Sequence, residues 1–441
     1  MKQVSRLLLL VLPAVFLVGC NYDAAEDGPG LFDSCGTLRQ NDYVLTTMQE
    51  WYYWYDRMPS VKAGDFESPD ALLQAVRYET LDSTFSYITT QEAEDAFFNN
   101  AAYIGFGFST RIDNGAELYL REVFPGSPAD LAGMARGDEI LAIDGIDVAT
   151  LIAAGTLQDA YGPREIGFSV DFTIRHPDNS EETVTAAKAE VDTPVTLNPS
   201  VFDVNGTPTG YVFFRSFNNA AYDALDAVFA DFEAQGVQKL VLDLRYNGGG
   251  LISVAEYLGS LIRGAANSGE ILSTMKFNDK KQANNVVLRF SDEANSLAIT
   301  DIVIITTGGT ASASELIING LEPYTNVATV GATSFGKPVG QSGFRFCEKV
   351  LRPVTFEVVN ANDVSGYFNG IVPTCGALDD LSQPLGDLGE ASVAEAVNYL
   401  ETGSCSATAT KASNEIAQQK AMYPPEMLYR DGWDVVTGGV R

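Results

Sequence analysis

DIVIITTGGTASASELIINGLEPYTNVATVGATSFGKPVGQ, Asp301 to Gln341, is the stretch on which the reading of this chain turns. Ile302 to Ile305 is an apolar, β-branched run of the kind a buried strand carries. Thr306-Thr307-Gly308-Gly309-Thr310 breaks the run, and Ala311 to Leu321 reads as a helix with small residues and serines in its first turn. A serine at such a strand-to-helix turn sits among backbone N–H groups that lack intrahelical partners, at the positive end of the helix dipole. Those surroundings favour an alkoxide or a developing oxyanion. A second strand, Val327 to Val330, leads into Gly331-Ala-Thr-Ser-Phe-Gly336, then Lys337, then Gln341. A serine cluster and a lysine therefore end on adjacent turns of one sheet. On these grounds Ser312 and Ser314 are both candidates, and the pattern also fits a plain helix cap beside a solvated lysine.

The chain has one histidine, His176, in a polar stretch far from this segment. A serine nucleophile here can hardly rely on a Ser-His-Asp arrangement. A lysine can act as base instead if burial lowers its pKa toward neutrality. Apolar neighbours such as Phe335, with no carboxylate close by, would do this.

Ala311-Ser312-Ala313-Ser314-Glu315, Ser334-Phe335-Gly336-Lys337 and Gln341 together resemble the signature of the C-terminal processing (tail-specific) serine proteases. The resemblance implies Ser312 as nucleophile, Lys337 as general base and Gln341 as the residue that orients the lysine. It selects Ser312 over Ser314 by the spacing to Lys337. Ser334 stands where the family commonly has threonine and keeps the hydroxyl, while Pro338 replaces a usual glycine. Upstream, Asp243-Leu-Arg-Tyr-Asn-Gly-Gly-Gly250 resembles the family's oxyanion loop, which implies that the amides of Gly249 and Ala313 hold the oxyanion. That strand–glycine turn–helix order invites a nucleotide reading, but neither GxxxxGK[ST] nor GxGxxG is present.

Two further regions carry resemblance. PGSPADLAGMARGDEILAIDGIDV, Pro125 to Val148, is similar to a PDZ domain. In that setting a peptide C-terminus adds as a strand to a sheet edge and its carboxylate is held by loop N–H groups. Gly105 and Gly107 would let the loop backbone approach, with Phe106 and Phe108 forming an apolar pocket for the last side chain. The strands Ile166 to Arg175 and Thr183 to Val191 would close this domain. Before it, Leu45, Met48, Trp51, Tyr52 and Tyr55 fall at helical spacing, and Pro69 to Tyr78 reads as a second helix capped by Ser68. With Leu81 to Ile88 they resemble the N-terminal region of the same proteases. The aromatic run Trp51 to Tyr55 reads as core rather than as a sugar platform.

The 441 residues allow two to four domains, and 46% hydrophobic residues suffice for real cores. A net charge of −30 argues against nucleic acid, whose phosphates would be repelled. Residues 1–19 have a short basic start and the apolar run Leu7 to Val18, too short to span a membrane and typical of a signal peptide. Leu17-Val18-Gly19-Cys20 looks like a bacterial lipobox, implying cleavage before Cys20 and lipidation of its thiol. Cleavage removes Lys2 and Arg6, taking the charge from −30 to −32. The expected place is the bacterial cell envelope, lipid-anchored and periplasm-facing, with Asn21 favouring the outer membrane. The remaining cysteines, Cys35, Cys347, Cys375 and Cys405, suggest two disulfides, with Cys347–Cys375 and Cys35–Cys405 the favoured pairing. No CxxC or histidine partner supports a metal site, and no cofactor is implied.

The expected organisation is a multidomain α+β chain. It has a signal segment (1–19), a lipidated cysteine and tether (20–39), a small helical N-terminal domain (40–98) and a PDZ-like β domain (99–192). An α/β protease core (193–400), whose resemblance implies a crotonase/ClpP-like superfold, precedes an irregular extension (401–441). The expected function is a serine endopeptidase acting on proteins or peptides with a free C-terminus. The alternatives are an inactive PDZ-bearing scaffold or peptide-binding lipoprotein and, more weakly, acyl-CoA chemistry on the same superfold.

Overall fold

The computed structural model describes residues 35–99, 102–409 and 411–413. The expected signal segment, Cys20 and the tether up to residue 34 lie outside the described residues, as does the chain beyond 413. Within them the tether ends early, because a helix already begins at Thr37.

A six-stranded sheet carries the middle of the molecule, in the order Thr196–Val204, Thr207–Phe214, Lys239–Asp243, Asp301–Thr306, Asn326–Gly331, Cys375–Gly376. The last five run parallel and the first antiparallel. A parallel sheet is covered on both faces, which is why its strands read as unbroken apolar runs. Alternate residues feed two cores. Leu240, Leu242, Ile302 and Ile304 meet the helices Ala221–Ala234, Ile252–Asn267 and Ala313–Leu321, through Leu225, Phe229, Leu258 and Ile317. Val241, Val303 and Ile305 meet the helix Ala391–Thr402 through Val393 and Ala396. Truncating one of these, as in Ile304→Ala, costs about 2–5 kcal/mol.

A second, antiparallel sheet runs Val286–Arg289, Ile271–Phe277, Val354–Asn360, Val339–Gln341. A third is Tyr87–Thr90, Lys349–Arg352, Phe344–Phe346. The N-terminal helices Thr37–Trp51 and Pro69–Val76 pack on these strands, with Ser68 Oγ accepting from the Ala71 N–H at 3.1 Å. Val44, Met48, Tyr52 and Leu72 share one core with Val339, Phe344 and Leu351, and Trp51, Tyr53, Trp54 and Tyr55 pack against it. The aromatic run is thus the seam between the helical domain and the protease core.

The PDZ-like domain is an antiparallel sheet, Phe108–Asp113, Glu117–Val123, Glu139–Ile143, Ser169–Arg175, Glu181–Ala187. The strand expected at 183–191 is in fact two. Its second part, Ala189–Asp192, leaves the sheet to pair with Ala102–Gly105.

The disulfides are Cys35–Cys347 and Cys375–Cys405, not the expected pairing. Cys347 sits in the turn between Phe344–Phe346 and Lys349–Arg352, over the start of the first helix, with Cα atoms 6.0 Å apart. Cys375 lies on the edge strand of the parallel sheet. Cys405 returns to it after the helix Ala391–Thr402, with Cα atoms 5.5 Å apart. Proximity in sequence misled because Cys347 and Cys375 belong to different sheets. The segment after residue 400 is also not irregular throughout. It is helical at 407–409 and 411–413, and Ala409 is buried in the core beside Val330 and Val393.

Candidate active site

Ser312 is the N-cap of the helix Ala313–Leu321 and has φ 57° and ψ −113°. A non-glycine residue held there costs on the order of 1–3 kcal/mol and persists only where its surroundings impose it. The loop 248–250 presses on this turn. A Cβ on Gly249, φ 100°, would lie 2.8 Å from Ser312 Cβ and 3.0 Å from the Ala313 nitrogen. Ser314 faces inward instead, and its hydroxyl donates to the Asn247 carbonyl at 2.9 Å. The two candidate serines therefore differ: Ser312 is partly exposed at the mouth of the turn, and Ser314 is a buried clamp.

Lys337 is 3% exposed, and its Nζ donates to Gln341 Oε1 at 2.8 Å. Gln341 ends the strand Val339–Gln341, and its Nε2 donates to the Phe85 carbonyl. Ser312, Ala313 and Lys337 line one small pocket with Ile252, Leu316, Val339, Gly340, Val358 and Tyr367. The structure thus brings together the serine, the lysine and the glutamine expected from the sequence.

Glu315 ties them. Its buried carboxylate accepts from the Ser312 N–H at 3.0 Å, Ser334 Oγ at 2.5 Å, the Gly336 N–H at 2.7 Å and the Lys337 N–H at 2.8 Å. Burial pushes this carboxyl above its ordinary value, and the four donors pull against that. The surroundings of Lys337 are therefore not free of carboxyl groups, contrary to expectation. The signal for Glu315 was present, since Ser-x-x-Glu before an apolar run is the capping-box spacing. Ser334 Oγ also accepts from the Ile371 N–H at 2.7 Å, which gives the hydroxyl at that position a structural role.

The oxyanion loop differs from expectation at one atom. The Gly249 N–H donates to Asn247 Oδ1 at 2.9 Å, so here it is not presented to a ligand. The Ala313 N–H, in the first turn of its helix, has no intrahelical acceptor. Asn247 is fully buried, and its Nδ2 holds the Phe214 carbonyl at 2.9 Å. It stands between the glycine loop and the serine turn, and the sequence reading gave it no role.

In the PDZ-like domain Gly107 has φ 85°, and a Cβ there would lie 2.1 Å from Ser127 Cβ. The carbonyls of Phe106 and Gly107 accept from the N–H groups of Ala129 and Phe124 at 2.9 and 2.8 Å. Trans peptides then turn the Gly107 and Phe108 N–H groups to the opposite side. The strand Phe108–Asp113 pairs on one side only, so its other edge is open among the described residues. The apolar pocket is a different matter. The Phe106 and Phe108 rings stack 5.9 Å apart, packed with Tyr161 and Phe172, and both are buried. They are part of the domain core and not an open pocket, because Phe172 and Tyr161 both pack against them.

The domain docks on the protease core beside the oxyanion loop. Arg136 donates to Tyr246 Oη at 2.8 Å and to Asp379 Oδ1 at 3.0 Å, and Arg111 to Asp379 Oδ2 at 3.2 Å. The Arg121 guanidinium lies 4.5 Å from the centre of the Tyr246 ring. Arg245, fully buried, links Asp243, Asp379 and Glu390. Burial alone would raise the Asp379 carboxyl. The guanidinium groups of Arg136, Arg245 and Arg111, with the Tyr246 hydroxyl, overcome this and hold it well below the usual range.

A family model described as peptidase family S41 matches residues 208–376, an S41 N-terminal domain model residues 39–87, and a PDZ domain model residues 120–161. Residues 208–376 are a peptidase family S41 domain. It is similar to a carboxyl-terminal-processing protease of Picosynechococcus sp., 28% identical over 378 residues, covering 83% of this chain and 87% of that protein. A second such protease, from Synechocystis sp., is 28% identical and covers 64% of this chain and 63% of its own. Among solved structures, an S41 protease from Bacteroides fragilis matches with a TM-score of 0.68 and 26% identity, covering 81% of this chain and 96% of that one. A photosystem II D1 C-terminal processing protease shares the fold at a TM-score of 0.50 and 19% identity, covering 78% and 93%. This S41 chain is a serine-type peptidase of the C-terminal processing kind with a PDZ domain.

Proposed function

We propose that this S41 peptidase is a lipid-anchored endopeptidase of the bacterial envelope. It takes the free C-terminal end of an exported protein or peptide on its PDZ domain and cleaves it with Ser312 and Lys337. The observation that carries the catalytic part is the joint anchoring of Ser312 and Lys337 by Glu315, with Lys337 Nζ on Gln341.

Ser312 Oγ attacks the scissile carbonyl carbon as Lys337, neutral at that moment, takes its proton. The oxyanion meets the Ala313 N–H, and the Gly249 N–H joins it by leaving Asn247 Oδ1. Lys337 returns the proton to the leaving amine as the C–N bond breaks. Water, deprotonated by Lys337, then resolves the acyl-enzyme. Gln341 keeps the amine aimed at Ser312. The open edge of Phe108–Asp113 and the outward N–H groups of Gly107 and Phe108 support peptide capture as an added strand. The outer-membrane placement rests on Cys20 and Asn21.

The test is digestion of an unfolded reporter with a free C-terminal tag by wild type and by Ser312→Ala. Cleavage by wild type alone supports the reading. No cleavage by either points to a PDZ-bearing scaffold, and equal cleavage by both puts the nucleophile elsewhere.

A further inference from the structure

A glutamine side chain can sit either way round, and its partners decide which. The Phe85 carbonyl can only accept, so Gln341 must offer it the amide NH2. Oε1 is then left for Lys337 Nζ, at 2.8 Å. Phe85 belongs to the helical N-terminal domain, and its ring lies 6.0 Å from that of Phe335 and 5.8 Å from Lys337 Nζ. The turn that carries it is held by Asp82, which is fully buried. The Asp82 carboxylate accepts from the Ser86 N–H at 2.8 Å, Ser86 Oγ at 2.6 Å and the Tyr52 hydroxyl at 2.8 Å. Ser86 Oγ in turn accepts from the Val354 N–H at 2.9 Å, and Val354 is the ladder partner of Gln341.

We propose that Asp82 is a positioning residue for the general base: it fixes the Phe85 carbonyl, which fixes the Gln341 amide, which fixes Lys337. The helical domain is then part of the catalytic apparatus and not only a cap on the core. The inference rests on the Ser312–Lys337 reading above.

The experiment is a double-mutant cycle in the full chain on a short quenched peptide, with wild type, Asp82→Ala, Gln341→Ala and the double variant. Asp82→Ala is expected to lower kcat by about 10- to 100-fold, as a misplaced reacting group does, with KM within about two-fold. The double variant is expected to be no slower than Gln341→Ala alone, because both changes remove one and the same constraint. A purely structural role for Asp82 would instead make the two losses multiply, and that result overturns the proposal, as does an unchanged kcat in Asp82→Ala. If Asp82→Ala does not fold, Ser86→Ala, which leaves the Ser86 N–H on Asp82, carries the same cycle. A Gln341→Ala enzyme at full rate would remove the orienting role of Gln341 and this inference with it, while Lys337→Arg tests the base itself. A slow Gln341→Ala beside a full-rate Asp82→Ala removes this inference alone.

Discussion

Ser312 and Ser314 are two residues apart, and the structure gives them opposite surroundings. Ser312→Ala is expected to lower kcat by on the order of 10⁴ or more, as loss of a nucleophile does. Ser314→Ala removes one buried hydrogen bond to Asn247, worth about 1 kcal/mol, and should keep much of the activity. Active-site titration and kcat on one peptide separate them, and a dead Ser314→Ala beside a live Ser312→Ala would reverse the assignment. Lys337→Arg should be inactive, because a guanidinium cannot give up its proton at working pH. The wild-type rate should rise with pH through one ionisation on the alkaline side of neutral. His176 should not contribute, since its ring is bonded to Asp138 and Glu182 inside the PDZ domain at 2.8 and 3.0 Å. A pH–rate profile moved by His176→Ala, or an active Lys337→Arg, would show that the base is another residue. Ser312 and Gln341 are legible only through the resemblance to the C-terminal processing proteases, since residue types alone leave Ser314 open beside Ser312, and the fold places Ser312, Lys337 and Gln341 together. Asn247 and Asp82 were not legible, because their roles exist only once distant turns converge on them, and Glu315 showed its capping-box spacing but not its hold on Ser334, Gly336 and Lys337.

At the scale of elements, strands and helices were legible from period and punctuation, and errors gathered where pairing decides. The apolar runs at 239–243 and 301–306 are central parallel strands, as their lack of alternation implies. The run after Thr183 could not reveal that its end changes partner at Lys188. The junction between the PDZ sheet and the oxyanion loop was equally invisible, since Arg111, Arg136, Tyr246 and Asp379 are scattered over the chain. Asp379 should be its keystone. Asp379→Ala leaves guanidinium groups buried without their carboxylate and is expected to cost about 3–5 kcal/mol. The sign with pH follows from the depressed carboxyl. Its contribution is present above the ordinary aspartate value of 3.8 and is lost as pH falls through the folded value. Denaturant unfolding of wild type and Asp379→Ala at pH 7 and near pH 3 should show the difference shrinking in acid. A gap that widens in acid would contradict the pairing.

For the whole molecule, the sequence conveyed three folded units and their order, but not how they are fastened. Four cysteines permit three pairings, and only the folded chain shows that Cys35 reaches Cys347 and Cys375 reaches Cys405. The envelope placement is a matter of Cys20. Cys20→Ala should leave the protein in the soluble fraction or unprocessed, because the run Leu7 to Val18 is too short to hold it in a bilayer. A variant that has lost its leader and still sediments with membranes would end the lipoprotein proposal.

The fastening of the first helix to the strands around Cys347 also sets a schedule. Residues 35–90 emerge first from any secretion channel, yet their partners at 339–354 emerge some 250 residues later. Contacts so distant along the chain form late. In an exported chain the carbonyl of Phe85 and the amide of Gln341 would therefore meet only once residue 341 of 441 is across. On the proposal above, a chain exported to its midpoint already carries the PDZ domain proposed to select what is cut but none of Ser312, Lys337 and Gln341, so cutting power would arrive last.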